Sequence, residues 1–449
     1  MKNKSLIAIG LGAALTTHFA SAQSVNLSQL YSDSLDNNPA LTRAALEIDS
    51  VTKQLEQVKG LYRPQVDVSV SYGALRNDWT TLTQTDGQGA EVGLSVGQNL
   101  YNSELNATKG LVNQKQALTL THYQVALEGL QLSVAKGYFD ALKAQENLTQ
   151  VEATKKAIGE HLSQMQHRFA NGLVPENDVK ETQAQYDLAT TSAIFAQNQV
   201  EKALDYLYEL TGHSYTKVTP LAAQLPELSI PKPYGVSQWE EQAQKTNPQM
   251  QIQQHLVTLS REQIALAEAG HMPSLGLVAE YRYAFAAQSR LKPMGTSGGS
   301  FDNLDNNATV FAGVAMTLPV YKGGSTTSKV EQASIQYEQA RQLQEQTWRE
   351  VTRDIRSTEK DLLALKSAHS AYQQAVISAE AALQATEQGL ELGSRTIVDV
   401  LNATKQLYGA RQALTESHID FLFALLHLRF LVGELSAEDL VAMNTLLAV

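Results

Sequence analysis

Cysteine is absent from the 449-residue chain. That excludes disulfides, thiolate metal sites, a cysteine nucleophile and an N-terminal lipid-modified cysteine. Basic charge is also short: 35 Lys and Arg face 46 Asp and Glu, for a net charge of -11. Bulk electrostatics therefore argue against a nucleic-acid partner. Past the N-terminus, no stretch reaches the roughly 18 uncharged apolar residues of a spanning helix. The nearest, Phe421 to Val432, is broken by His427 and Arg429.

Proline is missing from two long tracts, between Pro64 and Pro175 and after Pro319. Two very long helices are therefore allowed. Glycine-bearing turns set their ends: Asn102 to Ala170 stops at Asn171-Gly172, and Lys322 to Gly389 stops before Gly393. At ~1.5 Å per residue each spans about 100 Å, far beyond an ordinary globular helix.

What is present begins with Lys2 and Lys4, an apolar run from Leu6 to Leu15, then Ala20-Ser21-Ala22. This order predicts a signal peptide over residues 1–22 and a mature chain from Gln23. The rest repeats itself. Asn38-Pro39, Pro64 and Tyr72 recur 209 residues later as Asn247-Pro248, Pro273 and Tyr281. Gly172, Asp178, Val179 and Gly212 recur at an offset of 221 as Gly393, Asp399, Val400 and Gly433. The expected organisation is a first repeat over 23–211, a proline-rich linker over 212–236, a second repeat over 237–433 and a C-terminal segment over 434–449.

Each repeat reads as short helix, strand, loop, strand, long helix, turn, short helix. The predicted short helices, Leu27 to Gly60 and Glu176 to Thr211, together match the long helix in length. Stacked end to end they would lie along it, building a long helical cylinder. The first long helix carries two apolar heptad stripes, Leu111–Leu118–Val125–Leu132–Phe139 and Leu120–Leu127–Val134–Ala141–Leu148. A helix packed between two neighbours needs both sides, whereas a two-stranded coiled coil needs one. The second carries Trp348, Ile355, Leu362, Val376, Leu383 and Leu390, with His369 in register as a packing residue.

Four segments alternate in polarity, about 65–74, 91–99, 274–285 and 309–318. Such segments are the signature of outer-membrane strands, with one face to lipid and one to water. The joining stretches, 74–90 and 286–308, read as polar exterior loops. Tyr62, Tyr72, Tyr101, Tyr281 and Tyr321 near strand ends suit interfacial girdles. Four strands cannot close a transmembrane barrel, because an open edge in lipid leaves backbone groups unpaired. The barrel is therefore shared, and arithmetic permits two, three or four protomers.

Chemistry-bearing patterns are weak. Gly295-Thr296-Ser297-Gly298-Gly299 matches a nucleophile elbow in letters, but a glycine-rich loop is the wrong setting. His161 and His167 lie on different helix faces, and the spacing of Asp302 and Asp305 fails the calcium-loop pattern. No catalytic residue, metal site or cofactor is expected.

Taken in order, Asn38-Pro39, Leu318-Pro319-Val320-Tyr321 with Gly323-Gly324, Arg168-Phe169 with Gly172-Leu173-Val174 and Asp178-Val179, and the run Gly393 to Leu401 resemble the TolC family of outer-membrane export ducts. The resemblance covers nearly the whole mature chain. It implies a mainly α fold with a β-barrel portion: a homotrimer with a 12-strand transmembrane β-barrel shared by three protomers and a long α-helical barrel across the periplasm. It also implies a passive duct in the cell outer membrane, joined by a periplasmic adaptor protein to an inner-membrane efflux pump or type I secretion ABC transporter. The implied adaptor-docking tips are Gly172, Leu173, Gly393 and Ser394. The implied periplasmic gate comprises Asp178, Arg395 and Asp399. Leu390 stands where relatives have a gate tyrosine, and Asn402 where they have a second ring aspartate. The competing reading is a soluble periplasmic coiled-coil scaffold or adaptor, which has no use for four alternating strands.

Overall fold

A computed structural model describes residues 24–80, 83–222, 228–230, 235–293 and 307–447. The signal peptide, the Gly295–Gly299 motif and the segment from Asp302 to residue 306 lie outside them. The first half comprises β1 (Ser24–Val25), α1 (Leu27–Asn37), α2 (Pro39–Gly60), β2 (Gln65–Thr80), β3 (Thr83–Asn102), α3 (Ser103–Ala170) and α4 (Glu176–Thr211). After β4 (Lys217–Val218), the second comprises α5 (Val236–Thr246), α6 (Pro248–Ala269), β5 (Ser274–Pro293), β6 (Asn307–Thr317), α7 (Ser325–Glu391) and α8 (Ile397–Val432), and α9 (Ala437–Asn444) follows.

The halves match closely in length: α1 and α5 have 11 residues, α2 and α6 have 22, and α4 and α8 have 36. The expected single helix from Leu27 to Gly60 is broken at Asn38. A residue before proline is pushed out of the α region, and Asn38 is extended with Pro39 opening the next helix. The Asn38 side chain accepts from Ala40 and Leu41 N–H and donates to the Leu210 carbonyl at 3.2 Å. Asn247 repeats this, accepting from Met250 N–H and donating to the Leu431 carbonyl at 2.7 Å. Each asparagine thereby caps one helix and ties it to the end of another. α7 begins later than expected because Gly323 and Gly324 both have positive φ, 60° and 80°, a conformation that favours glycine.

The four long strands form an antiparallel sheet in the order β2-β3-β5-β6, with β2 and β6 at its edges. They run longer than the alternation indicates. Pairing of β2 with β3 continues to Thr80↔Thr83, through most of the expected loop 74–90. Backbone hydrogen bonding needs no alternation of residue type, so the hairpin runs on where the sequence pattern stops. Val68, Val70, Val310 and Met316 on the edge strands are 65–75 % exposed. Tyr72, Tyr101, Tyr281 and Tyr321 are exposed as well.

The helices form a layer in which α3 is central. α8 and α4 flank it on one half of its length, α6 and α2 on the other, and α7 lies beyond α8 and α6. α7 therefore forms one edge of the layer, and α2 and α4 the other. The principal core joins α1, α3, α4 and α8 through Leu30, Val134, Phe139, Leu207 and Leu426. The segments after α4 and α8 wrap this level. β1 pairs with β4, the Tyr138 hydroxyl donates to the Thr219 carbonyl at 2.7 Å, and Leu440 enters the same core. Among the described residues no helix is long and apolar enough to cross a membrane.

Candidate functional site at the helix tips

Opposite the sheet, α3 turns into α4 and α7 into α8. The two turns have one design. Gly172 and Gly393 take φ of 73° and 75°. Gly172 N–H donates to the Phe169 carbonyl at 2.8 Å and Leu173 N–H to Arg168 at 2.9 Å. The counterparts are Gly393 to Leu390 at 3.2 Å and Ser394 to Gly389 at 2.8 Å. These are paired Schellman closures, which require a left-handed residue. A side chain at either glycine would meet open space. The turns thus project as smooth points, and Leu173 and Leu392 stand 72 % and 85 % exposed on them. Leu392 is not among the tip residues expected from sequence; its signal there is its place just before the turn glycine.

The tips are held together beneath these points. Ile158 and Met165 of α3, Ala189 of α4, and Ile397, Val400 and Leu401 of α8 form one buried cluster, with Leu390 of α7 packed half-buried against it. Lys405 Nζ also donates to Gln185 Oε1 at 2.6 Å, linking α8 to α4. Leu390 therefore contributes packing where a tyrosine would contribute a hydroxyl. Asn402 is exposed three residues beyond Asp399.

Asp399 does two things at once. It completes a capping box: its carboxylate accepts from Thr396 N–H at 2.9 Å and from the Thr396 hydroxyl at 3.0 Å, while Asp399 N–H donates to that hydroxyl at 3.3 Å. The Thr396 N–H bond holds its carboxyl below the usual carboxylate range, the Thr396 hydroxyl adds to this, and the Arg395 charge contributes further. Asp399 is thus a fixed negative charge at neutral pH. The capping threonine is a functional residue beyond those expected from sequence, and its signal there is the Thr-x-x-Asp spacing.

Arg395 is exposed, its stem lying over buried Gly389. Asp178 is half-exposed in the first turn of α4, where the helix dipole favours a carboxylate. Within the protomer, no ion pair among the described residues joins Asp178 to Arg395; the pair formed at this end of α4 is Lys180–Glu176 at 3.7 Å. α4 lies at one edge of the helix layer, and α3 and α8 stand between it and α7. Among the described residues no cluster suited to a metal ion is found.

An open antiparallel sheet with apolar edge strands, carried on helices of about 100 Å, defines an outer-membrane channel subunit. The family model described as outer membrane efflux protein matches residues 30–213 and 239–434, one match per repeat, and the chain belongs to that family. It is 32% identical over 441 residues to the outer membrane protein TolC of Vibrio cholerae serotype O1, covering 98% of each chain. It is 25% identical over 441 residues to the alkaline protease secretion protein AprF of Pseudomonas aeruginosa, covering 96% of this chain and 89% of the relative. The solved structure of the Campylobacter jejuni CmeC outer membrane channel shares the fold, with a TM-score of 0.76, 16% identity and coverage of 99% and 98%. The protein is an outer-membrane exit duct for efflux and secretion, and its family and fold are those of channel proteins.

Proposed function

We propose that three copies close into one duct and that the tips form its periplasmic gate and docking end. The carrying observation is that the chain is open at both edges at every height: β2 and β6 in the sheet, α2 and α4 against α7 in the helices. An open edge in lipid costs several kcal/mol per unpaired backbone group, as an order of magnitude. Three copies give a 12-strand barrel and leave no edge.

The duct is passive, with energy from an inner-membrane efflux pump or type I secretion ABC transporter joined through a periplasmic adaptor. The name of the alkaline protease secretion relative favours protein secretion among its uses. Gly172, Leu173, Gly393 and Ser394 form the docking surface, because the two glycines leave room for close helix approach and Leu173 offers an exposed apolar contact beside them. At the gate, Asp178 of one copy pairs with Arg395 of the next, which accords with their separation inside one chain. Each exposed pair is weak, about 0 to 1 kcal/mol, but three resist one collective opening. Leu390 offers no hydroxyl, so the ion pairs carry closure. Three Asp399 carboxylates, with Asn402 amides one turn away, form a single acidic ring.

The test is detergent extraction of outer membranes followed by crosslinking, with export assayed in a Gly393→Trp chain. Trimers in that fraction, with Gly393→Trp inserted but inactive in export, are expected. A soluble periplasmic protein overturns the duct, and normal export by Gly393→Trp overturns the docking site.

A further inference from the structure

The two repeats are related by an offset of 221 over their long and closing helices, so the joint seen inside the chain forecasts the joint between copies. α8 has two apolar faces. Phe421, Leu428 and Val432 pack against α7, and Leu422, Leu426 and Phe430 face the core around α3. α4 reproduces the first face with Val200, Leu207 and Thr211, all buried. At the second face it carries Glu201, Asp205 and Glu209 instead, all exposed. The same exchange occurs on the long helices. α3 offers α8 the stripe containing Leu132, Ala135 and Phe139, and the neighbouring Lys143 is bonded to Asp420 at 2.7 Å. The corresponding positions of α7 are Arg353, Arg356 and Lys360, all exposed.

We infer that the seam between copies is ionic at this height: Arg353, Arg356 and Lys360 on α7 of one copy dock against Glu201, Asp205 and Glu209 on α4 of the next. The inference rests on the ring assembly proposed above and adds the chemistry of its joint. The occupant is a second copy of this chain, because the acidic and basic strips stand at equivalent heights on opposite edges of one helix layer. Two of the cations have local partners, Arg353 with Asp354 at 2.8 Å and Arg356 with Glu240 at 2.7 Å. Among the described residues, Lys360, Glu201, Asp205 and Glu209 form no ion pair within the protomer. A joint of unlike charges selects the mating of α7 with α4 and penalises like edges, α4 with α4 or α7 with α7. A ring therefore closes head to tail, as a cyclic trimer requires.

The test uses the full chain in detergent, where the absence of cysteine makes every introduced thiol unique. Lys360→Cys combined with Glu201→Cys is treated with a bifunctional maleimide. Separately, Glu201→Lys with Asp205→Lys is compared with the same chain also carrying Arg353→Glu and Arg356→Glu. Covalent trimers from the cysteine pair are expected. The α4 reversal should lower trimer recovery roughly tenfold or more, and the exchanged pair should restore it. Recovery of the reversed chain should worsen, and that of the parent improve, as salt is lowered. Trimers that do not crosslink at this pair, or that tolerate the α4 reversal, overturn the ionic seam and leave the ring standing. A parent chain that forms no trimer overturns both.

Discussion

α3 and α7 are the same element twice, 68 and 67 residues long, yet they sit in different surroundings. α3 buries residues on both sides, among them Leu118, Leu130, Val134 and Phe139; α7 buries Val351, Ile355 and Leu362 along one side and leaves Ile335, Leu363 and Ile377 53–61 % exposed. The difference lies in position, not in helix-forming tendency. α3 has neighbours on both sides within the chain, while α7 waits for one. Incomplete burial in a repeat is therefore a map of the missing neighbour.

The largest test of this comparison concerns two equivalent glycines. Gly212 and Gly433 both end a closing helix with φ of 71° and 78°, but a methyl at Gly433 would collide with the Thr246 carbonyl while one at Gly212 meets nothing. Gly433→Ala should cost about 4 kcal/mol or prevent folding, and Gly212→Ala about 1 kcal/mol. Thermal unfolding followed by helical circular dichroism checks this, and equal costs would break the argument.

Next comes a pair of positions of which only one can titrate. His418 of α8 is 2 % exposed, with neither ring nitrogen finding a partner among the described residues, whereas the equivalent Gln197 of α4 is exposed. Burial pushes the His418 pKa down to about 4, and His369, whose ring lies 5.1 Å away edge to face, adds repulsion. Because the folded value lies below the unfolded one, stability is full above about pH 6.5 and is lost as pH falls towards 4, by at most about 3 kcal/mol per chain. His418→Gln should flatten that slope; an unchanged slope assigns it elsewhere.

The smallest effect in free energy has the largest readout in function. Asp178 and Asp399 are repeat equivalents, but only the second repeat places an arginine, Arg395, where the first has Val174. Arg395→Ser and Asp178→Ala should each raise single-channel conductance in planar bilayers several-fold and sensitise cells to large antibiotics, with little further gain in the double variant. Asp399→Asn should abolish block by multivalent cations, an effect that salt also weakens. Unchanged conductance in Arg395→Ser breaks the latch, and unchanged block in Asp399→Asn breaks the ring.

Much of this was legible in sequence because periodic features are redundant. The heptad stripes of α3, the recurring Asn-Pro pairs and the shared 221 offset each imply the layered fold, and the structure places each Asn-Pro at a helix break. The break itself at Asn38 is hidden in sequence because the apolar pattern continues across it; the cause is local, the steric demand of Pro39. The strands outrun their sequence signature because backbone pairing does not depend on alternation. At the tips, the turn glycines stood out, since only a left-handed residue closes the turn. The coupling of Asp399 to Thr396, and of Arg395 to Gly389, depends on atomic reach that residue spacing alone does not fix.

The open sheet also sets the order in which the duct is made. A lone chain that entered the bilayer would carry β2 and β6 unpaired into hydrocarbon, so insertion must wait for, or coincide with, the meeting of copies. Channel formation then rises more steeply than linearly with the supply of unassembled chain. Until that meeting the same two strands are sticky templates exposed to water, prone to wrong pairing. The newly exported subunit is accordingly at its most vulnerable before the membrane is reached, and needs shielding along those edges during that interval.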